Sequence, residues 1–443
     1  MRILQRFVRL ARGRVDAESK ALFKNSSWFF LANANAAVCD FLRSVILGRG
    51  LGVEGFGIYI LIITLVHTIQ EFFNLNLGTA FIKFGAEYKS SNNISKLGAL
   101  LKGCFILAGI TALASITFIV LASFFAYDIF ISKPGLRGYI QVYAIAASIS
   151  FFDYLSVSLL KLYFKFRLNS VIKICLDLTE LAVTATVVYL FPGNLPVLFT
   201  AVVGTLVLKG IVYNGAALWE MRDVIIRHLR AGLSEINEDR SRITGFVVNN
   251  SASRTLHTLI FSGDILLLGA LAGPVEAGYY AIAKKLAFAV LRLTDPMTHS
   301  IYPQLATLVA QRSYSSVKVM LKKVSSMFAL VIAAIFVLVL GMNEWIMTFI
   351  YGEEYLPAST TLTILVAASG VSAVFFWSTS LIFSLGRVDV RLKAYLLALI
   401  LGGSIAWLLI PSYGATGLAI AMLLAVMIVQ GIFVLVCRNA LRG

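Results

Sequence analysis

The chain is 443 residues long, 59% hydrophobic and 14% charged, with a mean hydropathy of +0.86 and a net charge of +16. Soluble domains are about 45–50% apolar and about 25% charged, and no water-soluble fold of this length hides such an excess. A soluble enzyme, a disordered chain and a secreted disulfide scaffold are excluded, which leaves an all-α polytopic membrane protein. At about 20 residues per crossing, the length holds roughly 12–14 spans and no large aqueous domain.

The chain opens on a basic segment, 1–24. Within it Met1–Arg14 sets Ile3, Phe7 and Leu10 against Arg2, Arg6 and Arg9, the pattern of a helix lying at the headgroup boundary. The apolar stretch that follows has full spanning length, so an uncleaved start-transfer helix is expected rather than a cleaved signal. Apolar spans follow at 25–47, 56–79, 98–124, 139–160, 171–191 and 196–218. Trp219–Ile243 is the longest polar connection; it carries Val224, Ile225, Leu229, Leu233 and Ile236 among mixed charges and is expected to be an amphipathic linker over 219–245. Six more spans are expected at 246–271, 277–300, 321–342, 359–385, 393–411 and 416–437, ahead of a short tail, 438–443. The predicted organisation is therefore an N-lobe over 25–218 and a C-lobe over 246–437.

Lysine and arginine sort between alternate connections. One side holds the N-terminal cluster, Lys83, Lys89, Lys96, Lys102, Lys161, Lys165, Arg240, Arg242, Lys322, Lys323, Arg387, Arg391 and Arg438, among others. The opposite side holds only Arg49, Lys133 and Arg137. The positive-inside rule then puts both termini in the cytoplasm, which an even number of spans satisfies. Far-side turns are expected at Phe191-Pro192-Gly193-Asn194, Ala272-Gly273-Pro274 and Pro411-Ser412-Tyr413-Gly414, where chain breakers cluster. The four cysteines, Cys39, Cys104, Cys175 and Cys437, have no CxxC spacing and suggest neither disulfides nor a zinc site.

The halves repeat each other. A shift of 221 residues lays Gly48 on Gly269, Gly52 on Gly273, Gly57 on Gly278, Tyr59 on Tyr280 and Lys102 on Lys323. Six spans per repeat preserve orientation, so the predicted architecture is two six-helix lobes about a pseudo-two-fold along the membrane normal, with a V-shaped path between them.

Ionisable residues inside spans cost about 2.5–3.5 kcal/mol each at the centre, even on the mildest scale, and mark functional or buried faces. Here they concentrate in the first two spans of each repeat: Asp40 and Arg43; His67, Gln70, Glu71, Asn74 and Asn76; Arg254, His257 and Asp264; Lys284, Lys285, Arg292, Asp295 and His299. Asp153, Asp177 and Glu180 lie in spans 4 and 5. The spacings His67, Glu71, Asn74 and Lys285, Arg292, Asp295, His299 each fit one helical stripe. In the repeat frame Arg43 corresponds to Asp264 and Glu71 to Arg292, so at least one of these opposite-sign pairs is expected to bridge the lobes in one access state and open in the other. Arg43, Arg254, Lys284, Lys285 and Arg292 are the candidate donors to an anionic headgroup such as a diphosphate. Asp40, Glu71, Asp153, Asp264 and Asp295 are the candidate ion-coupling or charge-pair residues. Lobe-locking ion pairs and snorkelling near span ends remain open as other roles. No P-loop, metal-ligand pattern or nucleophile elbow is present, so no cofactor, metal, nucleic acid or catalytic chemistry is expected.

Arg49-Gly50-Leu51-Gly52-Val53-Glu54-Gly55-Phe56-Gly57-Ile58-Tyr59, followed by Asn76-Leu77-Gly78-Thr79-Ala80-Phe81, resembles the opening of polysaccharide-biosynthesis flippases. Ala277-Gly278-Tyr279-Tyr280-Ala281 with Pro303-Gln304-Leu305 is similar to the start of their second half, and Gly352-Glu353-Glu354-Tyr355 to the loop after their ninth span. The resemblance implies a Wzx-type flippase of the multidrug/oligosaccharidyl-lipid/polysaccharide exporter superfamily. Such a protein moves an undecaprenyl-diphosphate-linked oligosaccharide across the bacterial inner membrane by ion-coupled alternating access. The partners implied are that glycolipid, membrane lipids, and a polymerase and glycosyltransferases of the same pathway. The alternatives are a multidrug/cation antiporter of the same superfamily and a non-transporting partner in glycan assembly.

Overall fold

The structure, a computed structural model, describes residues 17–130, 137–220, 222, 232–292 and 294–441. The expected helix at Met1–Arg14, Lys133, and linker residues 221 and 223–231 lie outside the described residues. Among those described there is no strand. The helices are α1 (Ala17–Phe73), α2 (Leu77–Ser90), α3 (Ile94–Phe130), α4 (Arg137–Ser148), α5 (Ser150–Leu162), α6 (Phe166–Leu190) and α7 (Leu195–Glu220). After the linker come α8 (Arg240–Arg292), α9 (Asp295–Ala310), α10 (Tyr314–Tyr351), α11 (Ala358–Val374), α12 (Trp377–Ser384) and α13 (Val388–Ala440). Each of the twelve predicted spans is mostly helical where described, with breaks at 74–76, Ile149, Thr294 and 375–376 inside four of them.

Three helices are too long to be single crossings. A straight helix of 57 residues, the length of α1, would run about 85 Å, against a hydrocarbon core of about 30 Å. Each breaks at a glycine with positive φ: Gly52 (67°), Gly273 (84°) and Gly414 (51°). Side chains strain in that region and glycine does not. The chain reverses at the last two. Tyr280 Oη donates to Asp264 Oδ2 at 2.8 Å, although a straight helix would separate these residues by about 24 Å. In α13, a Cβ on Gly402 would stand 3.0 Å from that of Ala425. Eight described stretches are long and apolar enough to cross a membrane, and the two longest, Ser27–Ser90 and Asp389–Ala440, each hold two predicted crossings. Helix α6 is absent from that set because every stretch of spanning length within it carries at least three charged residues, Lys173, Asp177 and Glu180 among them.

The backbone repeats as the sequence does. Left-handed residues recur in step: Gly52 with Gly273, Asn92 with Arg312, Phe164 with Gly386 and Gly193 with Gly414, each pair 220–222 residues apart.

The chain divides into two compact units. Unit 1 is Met1–Ile46, Ile69–Ser123 and Gly135–Thr255; unit 2 is Leu47–Thr68, Phe124–Pro134 and Leu256–Gly443. In unit 1, α2 packs on α3, α5 and the start of α8 through Phe81, Phe84, Leu101 and Leu159. Gly78 permits the close approach of α2 to α5, since a Cβ there would sit 3.0 Å from the Tyr154 carbonyl oxygen. The connections flanking α2, α5, α7 and α8 meet at one end of the unit. Lys89 Nζ donates to the Leu162 carbonyl at 3.1 Å, Lys165 pairs with Glu220, and Tyr88 Oη donates to Asp239 Oδ2 at 2.8 Å. Lys89, Lys96, Lys165 and Arg242, four of the basic residues that the sequence assigns to one side, thus meet at one end of this unit.

In unit 2, α9, α10, α12 and α13 enclose Leu305, Val317, Leu381 and Phe433. The second half of α1 packs on the second half of α8 through repeat-related contacts. A Cβ on Gly278 would stand 2.6 Å from the Val53 carbonyl oxygen, and one on Gly57 would meet the Pro274 carbonyl oxygen still closer. A Cβ on Gly48 would lie 3.1 Å from Ile282 Cδ1, and one on Gly269 3.0 Å from Leu61 Cδ1. Each contact maps onto its mate under the 221-residue shift, so a local pseudo-two-fold runs between these segments. Arg49 Nε donates to the Ile350 carbonyl at 2.9 Å and its guanidinium reaches that of Phe349, capping the C-terminal end of α10.

Candidate functional site

Among the described residues, most of the intramembrane charges fall in four clusters, each held within one unit. In unit 1, α1 meets α6 through Arg43, which pairs with Glu180 and, at 3.2 Å, with Asp40. Below it on α6, Lys173 Nζ lies 3.5 Å from Asp177 and donates to the Ala32 carbonyl at 3.3 Å. The second cluster surrounds Glu71, near the end of α1. Arg254 grips it with both arms, Nε to Oε2 at 2.9 Å and NH2 to Oε1 at 3.2 Å. Such fork-to-carboxylate geometry is stronger and more directional than a single contact. Asn74 Nδ2 donates to Oε1 at 3.3 Å, Thr255 Oγ1 donates to the Glu71 carbonyl at 3.1 Å, and the guanidinium lies 5.9 Å from the Tyr154 ring centroid. The helix interrupts here: Asn76 is left-handed (φ 46°), and its N–H donates to Asn74 Oδ1 at 3.0 Å. This pair is only partly covered, with the Arg254 side chain 39% exposed and Glu71 18%.

The third cluster, also in unit 1, centres on buried Asp153 of α5. Asn214 Nδ2 from α7 donates to Asp153 Oδ1 at 2.7 Å, while Asn214 Oδ1 accepts from Ser156 Oγ at 2.7 Å. Among the described residues this carboxyl makes no ion pair. The fourth belongs to unit 2. Lys284 Nζ stands 2.5 Å from Asp264 Oδ2, with Tyr280 on the same oxygen and the Ile265 N–H on Oδ1 at 2.8 Å. The Lys284 and Asp264 side chains are about nine-tenths covered.

These contacts revise the sequence expectations. Arg43 with Asp264, and Glu71 with Arg292, were the pairs expected from the repeat frame. Instead Arg43 takes Asp40 and Glu180, Glu71 takes Arg254, and Asp264 takes Lys284. The reason for the last is register: Asp264 and Lys284 stand at nearly equal distances either side of the reversal at Gly273, so the fold-back itself sets them opposite each other. Of the five candidate anion donors, Arg43, Arg254 and Lys284 are thus neutralised by carboxylates. Lys285 is half-buried and Arg292 exposed; Arg292 makes no ion pair among the described residues. The side chains of Asp295, His257 and His299 lie outside the described residues. Sequence reasoning missed Asn214 and Tyr154, neutral residues without a charge signal, and the partner of Arg43 on α6.

A polar clasp outside the spans was also missed. Asp239 accepts from Tyr88 Oη and from Lys96 Nζ at 3.0 Å, while Arg242 pairs with Glu87. The contacts from Lys96 and Tyr88 hold the Asp239 carboxyl below the usual carboxylate range.

A family model described as polysaccharide biosynthesis protein matches residues 46–360. The chain belongs to that family. Solved structures with the same fold include an inward-facing multidrug resistance MATE family transporter of the MOP superfamily. It is 12% identical, covers 92% of this chain and 94% of its own, and has a TM-score of 0.74. The lipid II flippase MurJ in an inward closed conformation is also 12% identical, covers 93% and 87%, and has a TM-score of 0.69. The Vibrio cholerae MATE transporter VcmN in its bent form is 15% identical, covers 96% and 97%, and has a TM-score of 0.57. No curated protein sequence matches the chain at a significant level. The expected fold class and family are therefore established: this member of the polysaccharide biosynthesis family is an integral membrane protein with the fold of those transporters.

Proposed function

We propose that the protein is a flippase that carries a polyprenyl-diphosphate-linked oligosaccharide across the bacterial inner membrane by alternating access. The observation that carries this reading is the partly exposed Glu71–Arg254 pair, set at the break that ends α1, with Asn74 and Tyr154 against it. Charges at membrane depth face protein or a water-filled path, so the exposed part of Arg254 supports a hydrated route for a polar cargo. In this reading Arg292 is the donor free to meet a diphosphate, with Lys285 beside it. Arg43, Arg254 and Lys284 tune and hold the path through the carboxylates they already bind. Both termini are cytoplasmic, residues 25–218 and 246–437 act as the two lobes, and Asp153 and Glu71 are the carboxylates available for ion coupling.

The test is glycan export in cells deleted for the gene, with surface glycan and drug susceptibility read side by side. Loss of surface glycan with unchanged drug susceptibility supports the flippase. Normal glycan with drug hypersensitivity contradicts it and favours the antiporter.

A further inference from the structure

Unit 1 holds a groove of about 470 Å³ that none of the charge clusters uses. Its floor is α2 and α3, where small residues, Ala80, Gly103 and Cys104, leave the depression. Val247 of α8 closes one side, and Leu233 and Ile236 of the short helical turn before α8 close its end. The floor is dry: Ala80, Cys104 and Val247 are all buried. A volume of this size falls in the range of single-ligand sites, about 300–1,000 Å³. Polar groups lie at one end only, on Asn237, Arg240 and Thr244.

Arg240 separates this groove from an ordinary lipid-facing crevice. Its neighbours in the clasp are all neutralised: Lys96 by Asp239 and Glu238, and Arg242 by Glu87. Arg240 is exposed and makes no ion pair among the described residues. An apolar slot with one uncompensated guanidinium at its mouth is complementary to a single hydrocarbon chain ending in phosphate. The chain is taken out of water along the slot, and the fork meets the phosphate oxygens. A two-chain phospholipid fits less well, because one slot seats one tail.

We propose that this groove is a loading site that seats the phosphate-proximal isoprene units of a polyprenyl diphosphate, with Arg240 on the diphosphate before translocation, the stage at which Arg292 meets it. The proposal rests on the lipid-linked cargo proposed above and assigns the tail a place outside the charged clusters.

The test uses the full-length protein in detergent micelles and farnesyl diphosphate, a three-isoprene member of the class, titrated by calorimetry. A Cβ on Gly103 would meet only Leu233 and Ile236 side-chain atoms, at 3.7 and 3.9 Å, so Gly103→Leu fills the groove without striking backbone. Gly103→Leu and Arg240→Gln should each weaken binding about tenfold or more, whereas Gly103→Ala and Arg240→Lys should retain most of it. Inorganic diphosphate, which lacks the chain, should compete far more weakly than farnesyl diphosphate. A benzophenone-bearing farnesyl diphosphate should label the wild-type protein within 97–107 or 233–248, a readout that needs no variant to fold. Undiminished binding in both variants, labelling elsewhere, or competition by inorganic diphosphate as strong as that by farnesyl diphosphate would overturn the assignment. Equal displacement by phosphatidylglycerol would make the groove an ordinary lipid site and also overturn it. The probe carries no glycan, so the two readings fail separately. Binding without glycan export retires the flippase and keeps the groove; export without binding does the reverse.

Discussion

Gly57 and Gly278 are the points where the two repeats touch most closely, and alanine at either should destabilise the protein. At Gly278 the added Cβ would lie 2.6 Å from the Val53 carbonyl oxygen. Ordinary contact begins near 3.4 Å, so the helices must part by about 0.8 Å. The obstacle is backbone, which cannot rotate away. Overpacking of this kind costs about 1–3 kcal/mol, against a helix-propensity gain of about 0.5–1 kcal/mol for replacing glycine. The net loss is up to about 2.5 kcal/mol for Gly278→Ala, and larger for Gly57→Ala, where the Pro274 oxygen is nearer. The double variant should fall short of the sum, since both substitutions push apart the same contact. Gly204 of α7 is the control: nothing lies within 4 Å of its would-be Cβ, so Gly204→Ala should be neutral or slightly stabilising. Thermal melting in detergent, followed by size-exclusion chromatography after heating, reads these differences. If Gly57→Ala and Gly278→Ala melt with Gly204→Ala, the close symmetric crossing is not there.

Lys284→Met should cost about 3–5 kcal/mol, because it strands Asp264 in a covered site; adding Asp264→Leu should recover most of the loss, as read by detergent melting of the single and double variants. Arg292→Ala should abolish glycan export with the melting point unchanged, whereas Arg43→Ala should lower both, since it removes the pairs to Asp40 and Glu180; export assays beside melting curves separate the two. The Asp239 clasp should depend on acid. Its folded carboxyl titrates below the unfolded one, so its contribution is complete above the unfolded value, about 3.9, and is lost as pH falls through the folded value. Protection factors over 88–96, taken relative to the intrinsic exchange rate at each pH, should therefore fall in acid, and Asp239→Asn should remove that dependence while lowering protection at neutral pH.

The spans were legible because hydropathy integrates over twenty residues, and a few misplaced side chains do not erase it. The turns at Gly193, Gly273 and Gly414 were legible for a local reason: each needs a left-handed residue, and glycine supplies it. The 221-residue shift, visible in a handful of glycines, recurs in the backbone and in the contacts of Gly48, Gly57, Gly269 and Gly278. Partner choice among the charges was not legible in the same way. Arg43 and Glu180 meet across 137 residues of sequence, and Glu71 and Arg254 across 183, with no periodic signal linking them. Repeat symmetry suggested opposite signs at matching positions, but a charge is compensated by whatever group reaches it first. For Asp264 that group is Lys284, across its own hairpin, and equal spacing about Gly273 was the available clue.

Translocation itself is the most direct measure of the central claim. Purified protein in liposomes, given a fluorescent polyprenyl-diphosphate oligosaccharide, should render the label on one leaflet accessible to a membrane-impermeant reductant faster than protein-free vesicles do. Arg292→Ala should abolish that gain. Equal rates in protein-containing and protein-free vesicles, or full activity in Arg292→Ala, would contradict the account.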